Sequence, residues 1–152
     1  MSSSDNSDVW RYSKTFASVS SNVTPFLDAI VAELEARSWN PDDIFAIRLA
    51  LDEGVANAIE HGNRRDPAKK VLLNAEISGK RILVSIQDEG PGFSLDSVKD
   101  PTLQENIELP QGRGLFLIRN FMTRVWHNSK GNVIYMEKRP NASDDSENGR
   151  PD

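Results

Sequence analysis

The residues with the clearest chemical potential are a carboxylate and an amide four positions apart, Glu53 and Asn57. Residues at this spacing lie on one face of a helix, and apolar residues such as Ile47, Leu51 and Val55 occupy another face. The carboxylate can accept a proton, and the amide oxygen can ligate Mg²⁺, which binds one or two protein oxygens together with substrate phosphates. Taken alone, the pair is more typical of an exposed polar flank.

A second candidate feature is a glycine-containing turn, Asp88-Glu-Gly-Pro-Gly-Phe93, directly after the apolar strand pattern Ile82–Ile86. A carboxylate at a strand end can accept a hydrogen bond from a ligand. Gly90 and Gly92 would let the backbone lie flat against a ligand ring. Aspartate, glycine and proline are also common in ordinary turns, so this motif alone is weak evidence of function.

A third feature is Gly112-Arg113-Gly114, which precedes an apolar helical pattern. The first turn of a helix has free N–H groups and a partial positive charge, which favour a phosphate. Arg113 could add a fixed cation. A flexible loop end before a helix is the simpler interpretation of this motif by itself.

The elements that position these residues follow from the periodicity of the apolar side chains. We expect a strand over Trp10–Val19, a helix over about 25–38, a second helix from Asn40 to Gly62, a hairpin over 71–86, a third helix from about 115 and a second hairpin over 124–137. Asn40 should cap the second helix, and Gly62 should end it in the left-handed conformation. This order predicts an α/β (α+β) two-layer sandwich with a mixed, mostly antiparallel sheet.

We expect one folded domain, residues 9–139, between disordered tails at residues 1–8 and 140–152, both rich in polar residues. Residues 94–111 form a long loop with two prolines, which predicts a functional lid. The net charge of −5 argues against a nucleic-acid partner. No apolar run approaches the roughly 20 residues of a membrane helix, and the start lacks a signal-peptide pattern, so we expect a cytoplasmic location.

The order of the three motifs is more specific than any one of them. Together, Glu53-Gly-Val-Ala-Asn57, Asp88-Glu-Gly-Pro-Gly-Phe93 and Gly112-Arg-Gly-Leu-Phe-Leu-Ile118 resemble the GHKL ATPase superfamily. Within it, the chain is most similar to the stand-alone anti-sigma factor serine/threonine kinases. The resemblance covers about residues 11–138. It implies a Bergerat-type fold, with three helices on one face of the sheet and ATP between helices and lid.

The resemblance also implies a role for each motif. Asn57 coordinates Mg²⁺, Glu53 is the general base, and Asp88 accepts a hydrogen bond from the adenine amino group. The other residues carried over are Gly90 and Gly92 beside the ring, and Gly112, Arg113 and Gly114 beside the phosphates. Arg113 stands between the two glycines at a position that varies in the family.

For function, the resemblance implies a Mg-ATP-dependent protein serine/threonine kinase of the anti-sigma factor type. Its substrate would be an anti-anti-sigma protein of the STAS type, its other partner a sigma factor, and its assembly a homodimer. The alternative is a non-catalytic module in which ATP or ADP controls partner binding. The carboxylate of Glu53 favours the enzyme, because a module that only binds needs no base there.

Overall fold

A computed structural model describes residues 8–19, 23–91 and 118–140 of the chain. The expected lid at 94–111 lies outside these ranges. So do the expected tails, apart from Asp8 and Pro140. The boundaries given above for the lid, the tails and the domain therefore stay predictions.

Within the described residues, five strands form one sheet in the order β1-β2-β3-β5-β4, and every neighbouring pair is antiparallel. The strands are β1 (Trp10–Ala17), β2 (Lys70–Ile77), β3 (Ile82–Gln87), β4 (Arg124–His127) and β5 (Val133–Lys138). Both predicted hairpins are confirmed, since β2 pairs with β3 and β4 pairs with β5. In the first hairpin, the turn closes with a hydrogen bond from Ser78 N to Arg81 O, at 2.9 Å.

Two complete helices are described, α1 (Thr24–Ala36) and α2 (Pro41–Asn57). The predicted cap of α2 is confirmed, because the Asn40 side chain accepts a hydrogen bond from Asp42 N at 2.7 Å. One π-helical turn, Ala58–Gly62, continues α2. Residues 118–121 are the described part of the predicted third helix.

The helices and the sheet share a single core. Alternate residues of β2 and β3 turn toward it, as their period of two predicted. The largest fully buried side chains of the core are Phe26, Ile30, Leu34, Ile47, Leu51, Val55, Leu73, Ile77, Ile82, Ile86, Ile118 and Met136. The α/β two-layer class is thereby confirmed. Within the described ranges, no helix is long and apolar enough to cross a membrane.

The expectation that Gly62 ends its helix in the left-handed conformation is wrong. The left-handed backbone lies further on, at Arg64 (φ 54°) and Arg65 (φ 61°), while Gly62 is part of the π-helical turn. Glycine is needed at position 62 for a different reason. A Cβ atom there would collide with the carboxylate of Asp88. The close approach of this turn to the end of β3 is therefore what requires glycine.

Candidate functional site

Helix α2, which carries Glu53 and Asn57, packs directly on the sheet. A Cβ atom on Gly54 would lie 2.8 Å from Ile86 Cδ1 and 2.9 Å from Met136 Cε, so this stretch of helix touches β3 and β5. Glu53 and Asn57 are both half-buried, on successive turns of the helix. Both belong to the helix that packs against β3, the strand that Asp88 follows.

The Asp88 carboxylate is held in a close-packed cluster with two glycines. Its Oδ1 atom accepts a hydrogen bond from Gly90 N at 2.8 Å. A Cβ atom on Gly62 would meet this carboxylate, and one on Gly90 would meet the Gly62 carbonyl. We call Gly62, Asp88 and Gly90 the aspartate–glycine cluster. It brings the π-helical turn and the end of β3 together, with no room for a side chain at either glycine.

The backbone of Asp88 is fixed from the β4–β5 turn. Asp88 N donates to Asn132 O at 3.0 Å, and the Asp88 carbonyl accepts from Asn132 Nδ2 at 3.2 Å. The side chain of Asp88 keeps acceptor capacity beyond the bond from Gly90, because an ionised carboxylate has about four lone-pair positions. The residue is thus anchored by its backbone and able to accept a further hydrogen bond.

The electrostatics of Asp88 are those of a carboxylate withdrawn from water. Burial raises its pKa above the ordinary value of 3.8, while the bond from Gly90 N–H and the charges of Lys130 and Lys69 act in the opposite direction. Burial is the largest of these effects. An acid with a perturbed pKa is common in binding sites, and it also occurs among structural carboxylates.

Asn63 is a site residue that sequence reasoning missed. Its side chain is completely buried. Oδ1 accepts from Glu89 N at 2.7 Å, and Nδ2 donates to Ser18 Oγ at 2.7 Å and to Lys70 O at 3.0 Å. An asparagine after a helix end is typical of an exposed loop. Its position next to Gly62 was the only signal in the sequence that could have pointed to it.

The remaining predicted residues fall outside the described ranges. These are Gly92, Gly112, Arg113 and Gly114. The oxygen donors that are described, on Glu53 and Asn57, have the chemistry that Mg²⁺ prefers when phosphates complete its coordination. Within the described residues, no group of three or more His, Cys, Asp and Glu side chains could hold a metal ion by itself.

The fold and site define a class of protein: a two-layer α/β domain in which a helix with polar residues packs on the sheet, and an aspartate at a strand end lies against two glycines. Comparison with known proteins identifies the family within this class. The histidine kinase-like ATPase domain matches residues 16–138, and the chain belongs to that family.

Several relatives share most of the chain. The anti-sigma F factor of Oceanobacillus iheyensis is 32% identical over 132 residues, which is 84% of this chain and 90% of the relative. The anti-sigma F factor of Geobacillus thermodenitrificans is 31% identical over 115 residues, 72% of this chain and 77% of the relative. That of Clostridium perfringens is 29% identical over 120 residues, 76% of this chain and 84% of the relative.

A solved structure supports the fold. The crystal structure of the RsbU and RsbW domains of a Mycobacterium tuberculosis protein matches with a TM-score of 0.57 at 20% identity. The match covers 86% of this chain and 32% of the other, so the chain spans about a third of that protein.

Proposed function

We propose that the chain is a Mg-ATP-dependent serine/threonine kinase of the anti-sigma factor type. One observation supports the proposal: Gly54, next to Glu53, packs against Ile86 of β3, and Gly62, five residues after Asn57, lies against the Asp88 carboxylate. Membership of the ATPase family and similarity to proteins named anti-sigma F factor support the same conclusion.

In the proposed site, each residue has one task. Asp88 accepts a hydrogen bond from the adenine amino group, and Gly90 and Gly92 lie beside the ring. Asn57 offers its amide oxygen to Mg²⁺. Bound Mg-ATP supplies the phosphoryl group that is transferred. Phosphoryl transfer needs mainly positioning and charge stabilisation from the protein.

Glu53 is the proposed general base. Its carboxylate accepts the proton of an incoming serine or threonine hydroxyl, which makes that oxygen a better nucleophile. Gly112, Arg113 and Gly114 are proposed to bind the phosphates. The hydroxyl is proposed to belong to an anti-anti-sigma protein, and a sigma factor is the proposed alternative partner.

The decisive experiment follows labelled phosphate from ATP to a partner. The protein is incubated with γ-labelled ATP, Mg²⁺ and the STAS-type proteins of the same genome. We expect label on a serine or threonine of one of them, and its loss by at least about 100-fold in Glu53→Gln, because general-base catalysis contributes about 10²–10⁴-fold.

The adjacent Asp52→Asn is the matched control, since Asp52 is an exposed acid on the same helix. It should keep full transfer. Tight ATP binding without label on any candidate would favour the alternative, a module in which the nucleotide only controls partner binding. Equal losses in Asp52→Asn and Glu53→Gln would remove the case for Glu53 as the base.

The metal assignment has its own test. Asn57→Ala should weaken ATP binding measured with Mg²⁺ much more than ATP binding measured with EDTA, because only the first uses the amide oxygen. The fold should persist, since Asn57 is half-buried and lies at the end of α2. A folded variant with unchanged magnesium dependence would contradict the role.

A further inference from the structure

We infer that Asn63 is a positioning residue for base recognition, which holds the Asp88–Gly90 turn in its binding orientation without touching the nucleotide. This inference rests on the proposed function, in which Asp88 reads the adenine amino group. Its first support is burial. The Asn63 side chain is 0% exposed, and a buried amide is stabilising only if its polar atoms are hydrogen-bonded.

The chemistry of two backbone partners, Glu89 N and Lys70 O, fixes the orientation of this amide. Glu89 N can only donate, so the atom 2.7 Å from it is the amide oxygen. Lys70 O can only accept, so the atom 3.0 Å from it is the amide nitrogen. The side chain therefore links β2 to the turn that follows β3 in a single geometry.

The backbone of Asn63 ties the same point to helix α2. Asn63 N donates to Ala58 O at 2.8 Å, which closes the π-helical turn, and Asn63 O accepts from Asp66 N at 3.0 Å. Gly62, the preceding residue, lies against the Asp88 carboxylate. Asn63 thus holds two segments that lie against Asp88. It holds Gly62 through the backbone and Glu89 through the side chain.

Only one of the three side-chain bonds acts on the turn. Asn63 Oδ1 holds Glu89 N, whereas Nδ2 binds Ser18 and Lys70, which lie at the β1 and β2 end of the network. Asn132 anchors the Asp88 backbone from the other side. Loss of the Oδ1 bond would free Glu89 N and leave the turn with the Asn132 bonds and a longer bond from Lys70 N to Glu89 Oε1, at 3.3 Å. Loss of the Ser18 bond would weaken the fold but leave the Glu89 bond in place.

This asymmetry supplies a matched control. Ser18 is buried, donates to Lys69 O at 2.9 Å and accepts from Asn63, so Ser18→Ala removes hydrogen bonds from the same network. A structural role for Asn63 predicts similar consequences for Ser18→Ala and Asn63→Ala. A positioning role predicts that only Asn63→Ala changes how the base is read.

The experiment compares the dissociation constants of Mg-ATP and Mg-inosine triphosphate, which differ at the amino group of the base. Calorimetric titrations use the wild type, Asp88→Ala, Asn63→Ala, Ser18→Ala and the double variant Asp88→Ala/Asn63→Ala. The wild type should prefer ATP by about tenfold or more, and Asp88→Ala should abolish the preference. Asn63→Ala should lower it at least about fivefold, Ser18→Ala should keep it, and the double variant should equal Asp88→Ala alone.

The outcomes separate this inference from the proposed function. If Asp88→Ala keeps the preference, the adenine role of Asp88 is wrong, and the inference falls with it. If Asp88→Ala loses the preference while Asn63→Ala keeps it, only the positioning role is wrong. The positioning role is also wrong if Ser18→Ala loses the preference as much as Asn63→Ala does. Should Asn63→Ala fail to fold, Asn63→Ser replaces it, because its hydroxyl is too short to reach Glu89 N.

Discussion

At the scale of single residues, Asp88 combines a structural cost with the proposed role in binding. Burial raises its pKa, so the ionised form is less stable in the folded chain than in water. An acid with a raised pKa stabilises the fold below its unfolded pKa of 3.8, and this contribution is lost as pH rises through the folded pKa. Above the folded pKa, the nucleotide-free protein therefore carries the unfavourable ionised form.

We predict that Asp88→Asn stabilises the nucleotide-free protein at pH 7, because the amide can still accept the bond from Gly90 N without a charge. The gain should disappear below about pH 4, where both side chains are neutral. ATP affinity should fall about tenfold or more, since a charge-assisted hydrogen bond is lost. Urea unfolding at the two pH values and ATP titration measure both effects. Lower stability at pH 7 would contradict the burial argument.

The contacts around Asp88 also show what single-sequence reasoning can reach. The motif from Asp88 to Gly90 was recognisable because its residues are adjacent in the chain. Asn63 was not recognisable, because its side-chain partners are 45, 26 and 7 positions away. No periodicity or turn composition encodes such distances. Polar networks that join separate elements become visible only in three dimensions.

At the scale of elements, Lys138 connects three parts of the fold. Its Nζ atom donates to Phe121 O at 2.9 Å, at the end of the helical residues 118–121, and lies 3.7 Å from Asp43 Oδ1 in the first turn of α2. The side chains of Lys138 and Asp43 are 15% and 5% exposed. The lysine therefore supplies a donor to one helix end and a cation to the start of another.

We predict that Lys138→Met lowers the free energy of unfolding by about 3 kcal/mol, because it leaves a buried carboxylate without this cation and a helix end without this donor. Urea denaturation is the measurement. Lys80→Met is the control, since Lys80 lies in the exposed β2–β3 turn, and it should change stability by less than about 0.5 kcal/mol. Equal effects in the two variants would show that the interior pair contributes nothing.

The elements themselves were largely predictable. Strand β2 follows from Val71, Leu73, Ala75 and Ile77, because a period of two puts all four on the buried face. The burial of Asp43 was not predictable: a second acid after Asn40 and Pro41 is typical of an exposed partner of the helix dipole. Its pairing with Lys138 depends on how β5 packs under α2, which the local sequence does not specify.

At the scale of the whole molecule, the helices cover one face of the sheet, and the opposite face carries a group of ion pairs. Glu137 lies on that opposite face, yet its side chain is only 3% exposed. Arg81, Arg139 and Arg124 surround it, with nitrogen–oxygen distances of 3.0, 3.5 and 3.8 Å. Three arginine side chains thus surround one carboxylate, so this region has an excess of positive charge. The net charge of the whole chain is −5. The acidic excess therefore lies elsewhere on the chain.

Among the described residues, His127 of β4 should make the stability of the fold decrease on acidification. Burial lowers the pKa of His127 below 6.5, and the charge of Arg119 lowers it further. The unfolded chain therefore binds a proton more readily, so this contribution to stability is present above pH 6.5 and is lost as pH falls toward the folded pKa. Asp88 has the opposite sign, because its raised pKa favours the fold on acidification.

We predict that the free energy of unfolding falls between pH 7.5 and about 5, and that His127→Gln removes much of this slope. Urea denaturation at half-unit pH steps measures it for the wild type, His127→Gln, Asp88→Asn and the double variant. Asp88→Asn should make the acid loss steeper, since it removes the contribution of opposite sign. Additive effects of the two substitutions would show that the two groups titrate independently. A wild-type slope that persists unchanged in His127→Gln would show that another group controls acid sensitivity.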